Sequence, residues 1–321
     1  LTLASFQPTV GPHGEVVPIP SPTPVATNFA RFARAQVTVQ GVQDSVLNAM
    51  GSEALTLDMA VNPLLVAAAF VNKNAIRVTF NNDMDPASLQ SGWELQPSGS
   101  VTAVTAVAGN AKAFTLATGD MAQARNYTVT APAAARDTSE RTIRGTGRTA
   151  EFTSLRWQTF AAGVQLVGVP LAVTGRVLTC LGAWKVARYD ASLGRCVIDQ
   201  AAGGEEAFEF VGGHGYWAKY GSAKTVYFDA GPLAAPVETP VQAGWNIITP
   251  AADTKLAGLN PSPGFAWHYA PGTGWELVAD LEGALNTGIS DELRAWAGYF
   301  VKPSVAGNLT IGVAAADAQS S

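Results

Sequence analysis

Charge is what this chain has least of. Acidic and basic residues together make up 14% of it, against roughly 25% in ordinary soluble proteins. The balance is acidic, at −5. With no basic face for phosphates, nucleic acid is excluded as a partner class. Three histidines, two cysteines and four methionines leave little material for a metal centre. No G-x-S-x-G, H-E-x-x-H or Walker A pattern occurs. The expectation is a protein that is not an enzyme and needs no cofactor. The longest apolar run, Leu64 to Val71, is too short to span a bilayer. The chain begins at Leu1 rather than Met and shows no signal peptide. That start suits an exported protein, extracellular or on the cell surface, whose signal peptide has been removed.

What is abundant is glycine (32) and proline (19), with many Val, Thr and Ala. This composition predicts an all-β fold of sandwiches joined by many turns. The strongest internal signal is a repeat at a spacing of about eighty positions. Ala162-Gly163-Val164-Gln165-Leu166-Val167-Gly168-Val169-Pro170 recurs as Ala243-Gly244-Trp245-Asn246-Ile247-Ile248-Thr249-Pro250. Tyr189…Gly194-Arg195 recurs as Tyr269…Gly274-Trp275, and Gly215-Tyr216-Trp217-Ala218-Lys219 as Gly298-Tyr299-Phe300-Val301-Lys302. Glycines, aromatics and β-branched residues recur, and no acid, His or Cys does. The repeat therefore carries architecture rather than chemistry. Its two units, 156–235 and 236–321, form either two small sandwiches or one merged sandwich. Ser290–Ala297 reads as a short helix, with Asp291 and Glu292 in its first turn.

Residues 1–36 form an arm of different composition. Six prolines fall in its first 24 positions, so it is extended and polyproline-like rather than helix or central strand. Yet it carries Leu1, Leu3, Phe6, Val10, Val16, Val17, Ile19, Val25, Phe29 and Phe32. Each such side chain is worth about 1.5–3 kcal/mol when buried, so the arm seeks cover. Residues 37–62 connect it to the body, and Val37-Thr38-Val39 within them alternates like a strand.

Residues 63–155 read as a small Ig-like β-sandwich. Ala75–Phe80 alternates with period two, and short strands surround Phe114-Thr115-Leu116 and Tyr127-Thr128-Val129-Thr130. Asp83 and Asp85 in the turn before Pro86 read as turn caps rather than a Ca²⁺ site. The set Val78-x-Phe80, Met84-Asp85-Pro86-x-Ser88, Tyr127-Thr128-Val129, Asp137 and Phe152-Thr153 resembles the Ig-like domains of bacterial S-layer and other cell-surface proteins. The resemblance covers under a third of the chain and implies a spacer or assembly module without catalytic residues. This copy departs from the pattern after Asp137, where Thr-Ser stands in place of the usual glycine. The Gly-Trp-Asn-x-Ile and Gly-Tyr-aromatic-x-Lys segments of the two repeats look similar to a recurrent unit of secreted bacterial proteins. No chemistry attaches to that unit.

Cys180 and Cys196 both lie in the first repeat; in an oxidising compartment they can close a disulfide loop. Seven of eight tryptophans lie beyond residue 155. Most suit core or interface positions, and Trp245 and Trp275 are the candidates for stacking on a glycan. Asn126 and Asn308 match the glycosylation pattern but fall within predicted strands.

These observations predict an extracellular structural protein whose main partner is itself, forming a filament, sheath or surface layer. The arm (Leu1, Leu3, Phe6, Val10, or alternatively Val37 and Val39) would dock on a neighbour by strand addition. The competing expectations are a monomeric surface module, its arm folded back, and a module that binds cell-surface glycan through exposed Trp.

Overall fold

The computed structural model describes residues 61–279 and 289–311 throughout and, before residue 61, the backbone of four short strands. Of those strands, β1 (Thr9–Val10) pairs with β2 (Val16–Val17), and β3 (Arg34–Val39) with β4 (Glu53–Asp58). Val37 is registered opposite Leu55 and Val39 opposite Glu53. The second strand expected to be free for donation therefore already has a partner along one side. Val10 is registered opposite Val16, while Leu1, Leu3 and Phe6 lie outside the described residues.

The next seven strands form the expected Ig-like sandwich. They are β5 (Leu65–Asn72), β6 (Ala75–Phe80), β7 (Glu94–Gln96), β8 (Val101–Val107), β9 (Asn110–Thr118), β10 (Asn126–Thr130) and β11 (Thr149–Thr153). One sheet has the order β5-β6-β9-β8 and the other β11-β10-β7. In β6, Ile76, Val78 and Phe80 are buried while Arg77 is exposed, so its apolar period of two becomes one core face. They pack with Phe114 and Leu116 of the neighbouring strand β9 and with Tyr127 and Val129 of the facing sheet.

The Asp83–Pro86 segment is a turn. Asp85 accepts a bond from the Ala87 amide at 3.0 Å and pairs with Arg136, and the Asp83 carbonyl accepts from Thr138. The second turn manages without glycine because Asp137 holds it: its carboxylate accepts from the Ser139 and Arg141 amides, and Glu140 takes the left-handed position (φ 64°).

The first repeat contains β12 (Arg156–Phe160), β13 (Gly163–Gly168), the short helix α1 (Val177–Leu181), β14 (Lys185–Asp190), β15 (Arg195–Gln200), β16 (Gly215–Tyr220) and β17 (Lys224–Phe228). The second contains β18 (Val237–Val241), β19 (Asn246–Ile248), β20 (Thr254–Lys255), β21 (Phe265–Ala270), β22 (Gly274–Ala279), β23 (Glu292–Leu293), β24 (Tyr299–Val301) and β25 (Gly307–Ile311). Each builds the same sheet of four strands, β13-β16-β14-β15 and β19-β24-β21-β22, with a separate strand pair, β12-β17 and β18-β25, across its own core.

The repeats merge into one body around an internal pseudo-two-fold. Val167 bridges Ala297, and their counterparts Ile248 and His214 bridge each other. The Gly168 amide donates to the Trp296 carbonyl at 3.0 Å, and reciprocally the Thr249 amide donates to Gly213 at 2.8 Å. The glycines of the two Gly-Tyr segments meet at this axis. A Cβ on Gly215 would lie 3.1 Å from the Gly298 Cα, and one on Gly298 would lie 2.8 Å from the Val167 carbonyl oxygen. The recurrent glycine is thus required by close backbone approach between copies. The tyrosines beside them are anchored alike. Tyr216 accepts from the Val211 amide at 2.9 Å and Tyr299 from the Arg294 amide at 2.7 Å, as Tyr127 does from Ala122 in the Ig-like sandwich. Burial pushes the Tyr216 hydroxyl up to about 12.

Two expectations are corrected. Cys180 and Cys196 are free thiols, so no disulfide joins them. Strand alternation explains why. Val186 and its cross-strand partner Asp199 share the face covered by α1, which carries Cys180, and Cys196 projects from the opposite face. Ser290–Ala297 is not a helix. Its backbone groups bond outward: Asp291 accepts from the Leu256 amide, Glu292–Leu293 pairs with Thr254–Lys255, and the Ala295 amide donates to Asp253.

Candidate aromatic site between the repeats

The face of the second repeat's sheet that points away from its core carries an aromatic basin. On β21, Ala266 points into the core, so Phe265, Trp267 and Tyr269 point out. Register brings Trp275 opposite Tyr269 and Phe300 opposite Trp267 on that same face. Ile247 is also opposite Phe300, which places Trp245, two residues earlier, on this side.

The first repeat presents its own outward face here. Tyr189 meets Phe300 edge-on at 5.7 Å between ring centroids, and Trp217 meets Trp275 at 5.8 Å. The result is a cavity of about 460 Å³ lined by Tyr189, Trp245, Trp267, Trp275 and Phe300. Phe300 stands at its centre. Trp245 is perpendicular to it (89°, 6.0 Å), and Trp275 is tilted against it (50°, 6.0 Å). Trp275 is 52% exposed. The Lys302 ammonium sits 5.5 Å from the Trp245 ring, and the equivalent Lys219 sits 4.7 Å from Trp184. The recurrent lysine of the skeleton thus covers an indole in each copy.

The indoles of the basin are not demanded by the fold. At the positions of Trp245 and Trp267 the first repeat has Val164 and Ala187; at that of Trp275, strand register puts Cys196 (opposite Tyr189, as Trp275 is opposite Tyr269) rather than the Arg195 of the sequence motif, and the repeat builds the same sheet without these indoles. Trp245 and Trp275, nominated from sequence, are brought together here. Trp267, Tyr189 and Phe300 were missed as site residues, and so was the exposure of Trp184 (61%). The readable signal was the asymmetry between copies, an indole in one where the other has a small side chain. Asn126 lies on β10 and Asn308 on β25, and neither lines the basin.

Near the junction, His214 is largely buried, and burial holds its imidazole below the usual range. Its unfolded-state value is about 6.5. A depressed histidine contributes stability that is full above that value and lost as pH falls below it. The repeat pair should therefore weaken as pH falls from about 6.5, seen as a lowered urea midpoint by tryptophan fluorescence. His214→Phe should flatten that slope. Among the described residues no cluster of three or more metal-ligating side chains occurs, and no helix is long and apolar enough to cross a membrane.

Residues 52–154 match the family model described as the bacterial Ig-like domain, beginning earlier than the expected boundary at 63. Among solved structures, the N-terminal part of the bacterial S-layer protein SbsC is similar at 14% identity. The match covers 55% of this chain and 44% of that one, with a TM-score of 0.29. A structure of the surface layer protein SbsC, domains 1-6, is similar at 13% identity over 79% of this chain and 41% of that one, with a TM-score of 0.27. This chain thus spans less than half the length of those chains. No curated protein matches it. The Ig-like match suggests a cell-surface protein.

Proposed function

We propose that this chain, whose residues 52–154 form a bacterial Ig-like domain, is a non-enzymatic cell-surface protein that self-associates into a filament, sheath or surface layer. In this reading the Ig-like sandwich is a spacer and an acceptor, and the arm of a neighbouring copy adds a strand to it. The observation that carries the reading is β8. This strand lies at the edge of its sheet, and among the described residues nothing pairs along its outer side. Its sequence, Val101-Thr-Ala-Val-Thr-Ala-Val107, has no charge and no proline, and Thr102, Ala103, Thr105 and Ala106 are exposed. Natural edges are usually blunted by lysine, proline or a covering element. An edge left open is a template for an added strand. Burying three apolar arm side chains contributes roughly 5–9 kcal/mol, while association costs about 4–15 kcal/mol. Strand addition alone is marginal, so a second contact must add to it.

Placing lysines on the edge tests the reading. Ala103→Lys with Thr105→Lys changes exposed positions, so the sandwich should fold as before. Assemblies of the unaltered chain, seen by sedimentation and negative-stain imaging, should then fall to single particles. Assemblies of unchanged mass in the variant, or an unaltered chain that is solitary at every concentration, would sink it. A second reading, glycan binding through Trp245 and Trp275, is favoured by the open indole of Trp275.

A further inference from the structure

We infer that the aromatic basin docks the proline-alternating segment Pro18-Ile19-Pro20-Ser21-Pro22-Thr23-Pro24 of this same protein, delivered by a neighbouring copy. The delivery rests on the self-association proposed above; the docking stands on the chemistry of segment and basin. Prolines at every second position strip the donors from one edge of this segment and hold φ near about −65°, away from sheet geometry, so this part of the arm suits another mode of attachment better than strand addition. A segment of this kind favours polyproline II, a preformed extended helix that docks against aromatic-lined grooves.

The basin has that character. Its five lining side chains are all aromatic, and two of them meet the central Phe300 edge-on, so the walls offer aromatic surface for pyrrolidine rings to lie against. Its volume, about 460 Å³, lies within the range of roughly 300–1,000 Å³ typical of ligand pockets.

Charge narrows the choice of occupant. Residues 16–24 carry no charge, whereas a cationic ligand would meet Lys302 at the rim. A sugar would need hydrogen-bond partners for its hydroxyls, and these five residues offer only the Tyr189 hydroxyl and three indole N–H groups. Reach is not limiting. The β3–β4 pairing holds Arg34 opposite Asp58, and the stretches from Pro24 to Arg34 and from Asp58 to Leu65, at about 3.3 Å per residue, still reach about 55 Å together.

The test uses the full chain with Pro18, Pro20, Pro22 and Pro24 all changed to alanine, which leaves the basin empty of its own segment. A synthetic peptide of residues 16–25 is titrated in, and tryptophan fluorescence is followed. Saturable binding is expected, at least tenfold weaker in Trp275→Ala and Trp245→Ala versions that keep the parent's circular dichroism. Peptide binding that is absent, or that is unaffected by both indole replacements, would overturn the docking. So would saturable binding of chitotetraose at the same indoles with none of the peptide, which favours the glycan reading. The two proposals fail separately. If the peptide binds but the unaltered chain sediments only as monomers, the segment docks on its own body and delivery by a neighbour falls. If the chain assembles and the peptide does not bind, the basin inference falls and self-association stands.

Discussion

Gly298→Ala will destabilise the repeat pair by about 2–3 kcal/mol, the upper part of the usual range for overpacking, because the site cannot relax. The added Cβ would lie 2.8 Å from the Val167 carbonyl oxygen and 3.2 Å from both its carbon and its nitrogen. These are backbone atoms of the facing copy, fixed by the Val167–Ala297 bridge and by the bond from the Gly298 amide to Leu166 (3.3 Å). A flexible side-chain tip would swing aside; a strand cannot. The expected drop in melting temperature is about 5–10 °C, read by tryptophan fluorescence. Gly215→Ala should behave alike, because its Cβ would meet the Ile248 carbonyl oxygen at 2.8 Å. Since the two glycines face each other, the double variant should lose less than the sum of the singles. Gly221→Ala is the control: nothing lies within 4 Å of its would-be Cβ, and its effect should stay within about 0.5 kcal/mol. A Gly298→Ala protein that melts like its parent would remove the close approach as the reason for the repeated glycine.

The pseudo-two-fold shows where sequence reasoning ran short. The Gly-Tyr segments were legible as a repeat because the same residues recur in the same order. Their purpose was not, because each glycine is required by an atom in the other copy, and spacing along a chain carries no sign of which strands meet. Strands with one buried face were readable: Ala75–Phe80 was expected and is β6. The failures were local rules overridden by partners elsewhere. Asp291-Glu292 looked like the acidic first turn of a helix, yet the Asp291 carbonyl accepts from Leu256 and its carboxylate pairs with Lys255. The two cysteines looked near enough to bond, yet alternation on the sheet sends Cys196 to the side away from α1. In the basin, Trp267 read as core because an aromatic residue on a strand usually is. Its neighbour Ala266 fills the core, and Trp267 lines the cavity beside its cross-strand partner Phe300.

Within the Ig-like sandwich the largest loss should come from Asp137→Ala, at about 3 kcal/mol, as when one partner of a buried ion pair is removed. The Asp137 side chain is 1% exposed and pairs with Arg141 at 2.8 Å. It also accepts from Asn82 Nδ2 and from the Ser139 and Arg141 amides, each at 2.9 Å. Truncation leaves these donors unpaired in a turn that has no glycine to hold its shape. Burial alone would push the Asp137 carboxyl up, but the hydrogen bonds outweigh it and the net shift is downward. A depressed carboxyl contributes stability that is full above its unfolded value, about 3.9, and lost as pH falls through the folded one. The sandwich should therefore loosen below about pH 4, with faster hydrogen exchange along β10, and Asp137→Asn should remove most of that dependence. Asp120 is the comparison. Its carboxyl is also held low, through Asn74 and Lys73, but its side chain is 69% exposed. Asp120→Ala should leave stability nearly unchanged, because solvent screens an exposed pair. Equal losses at the two positions would mean that burial of the Asp137 network is not what fixes this turn.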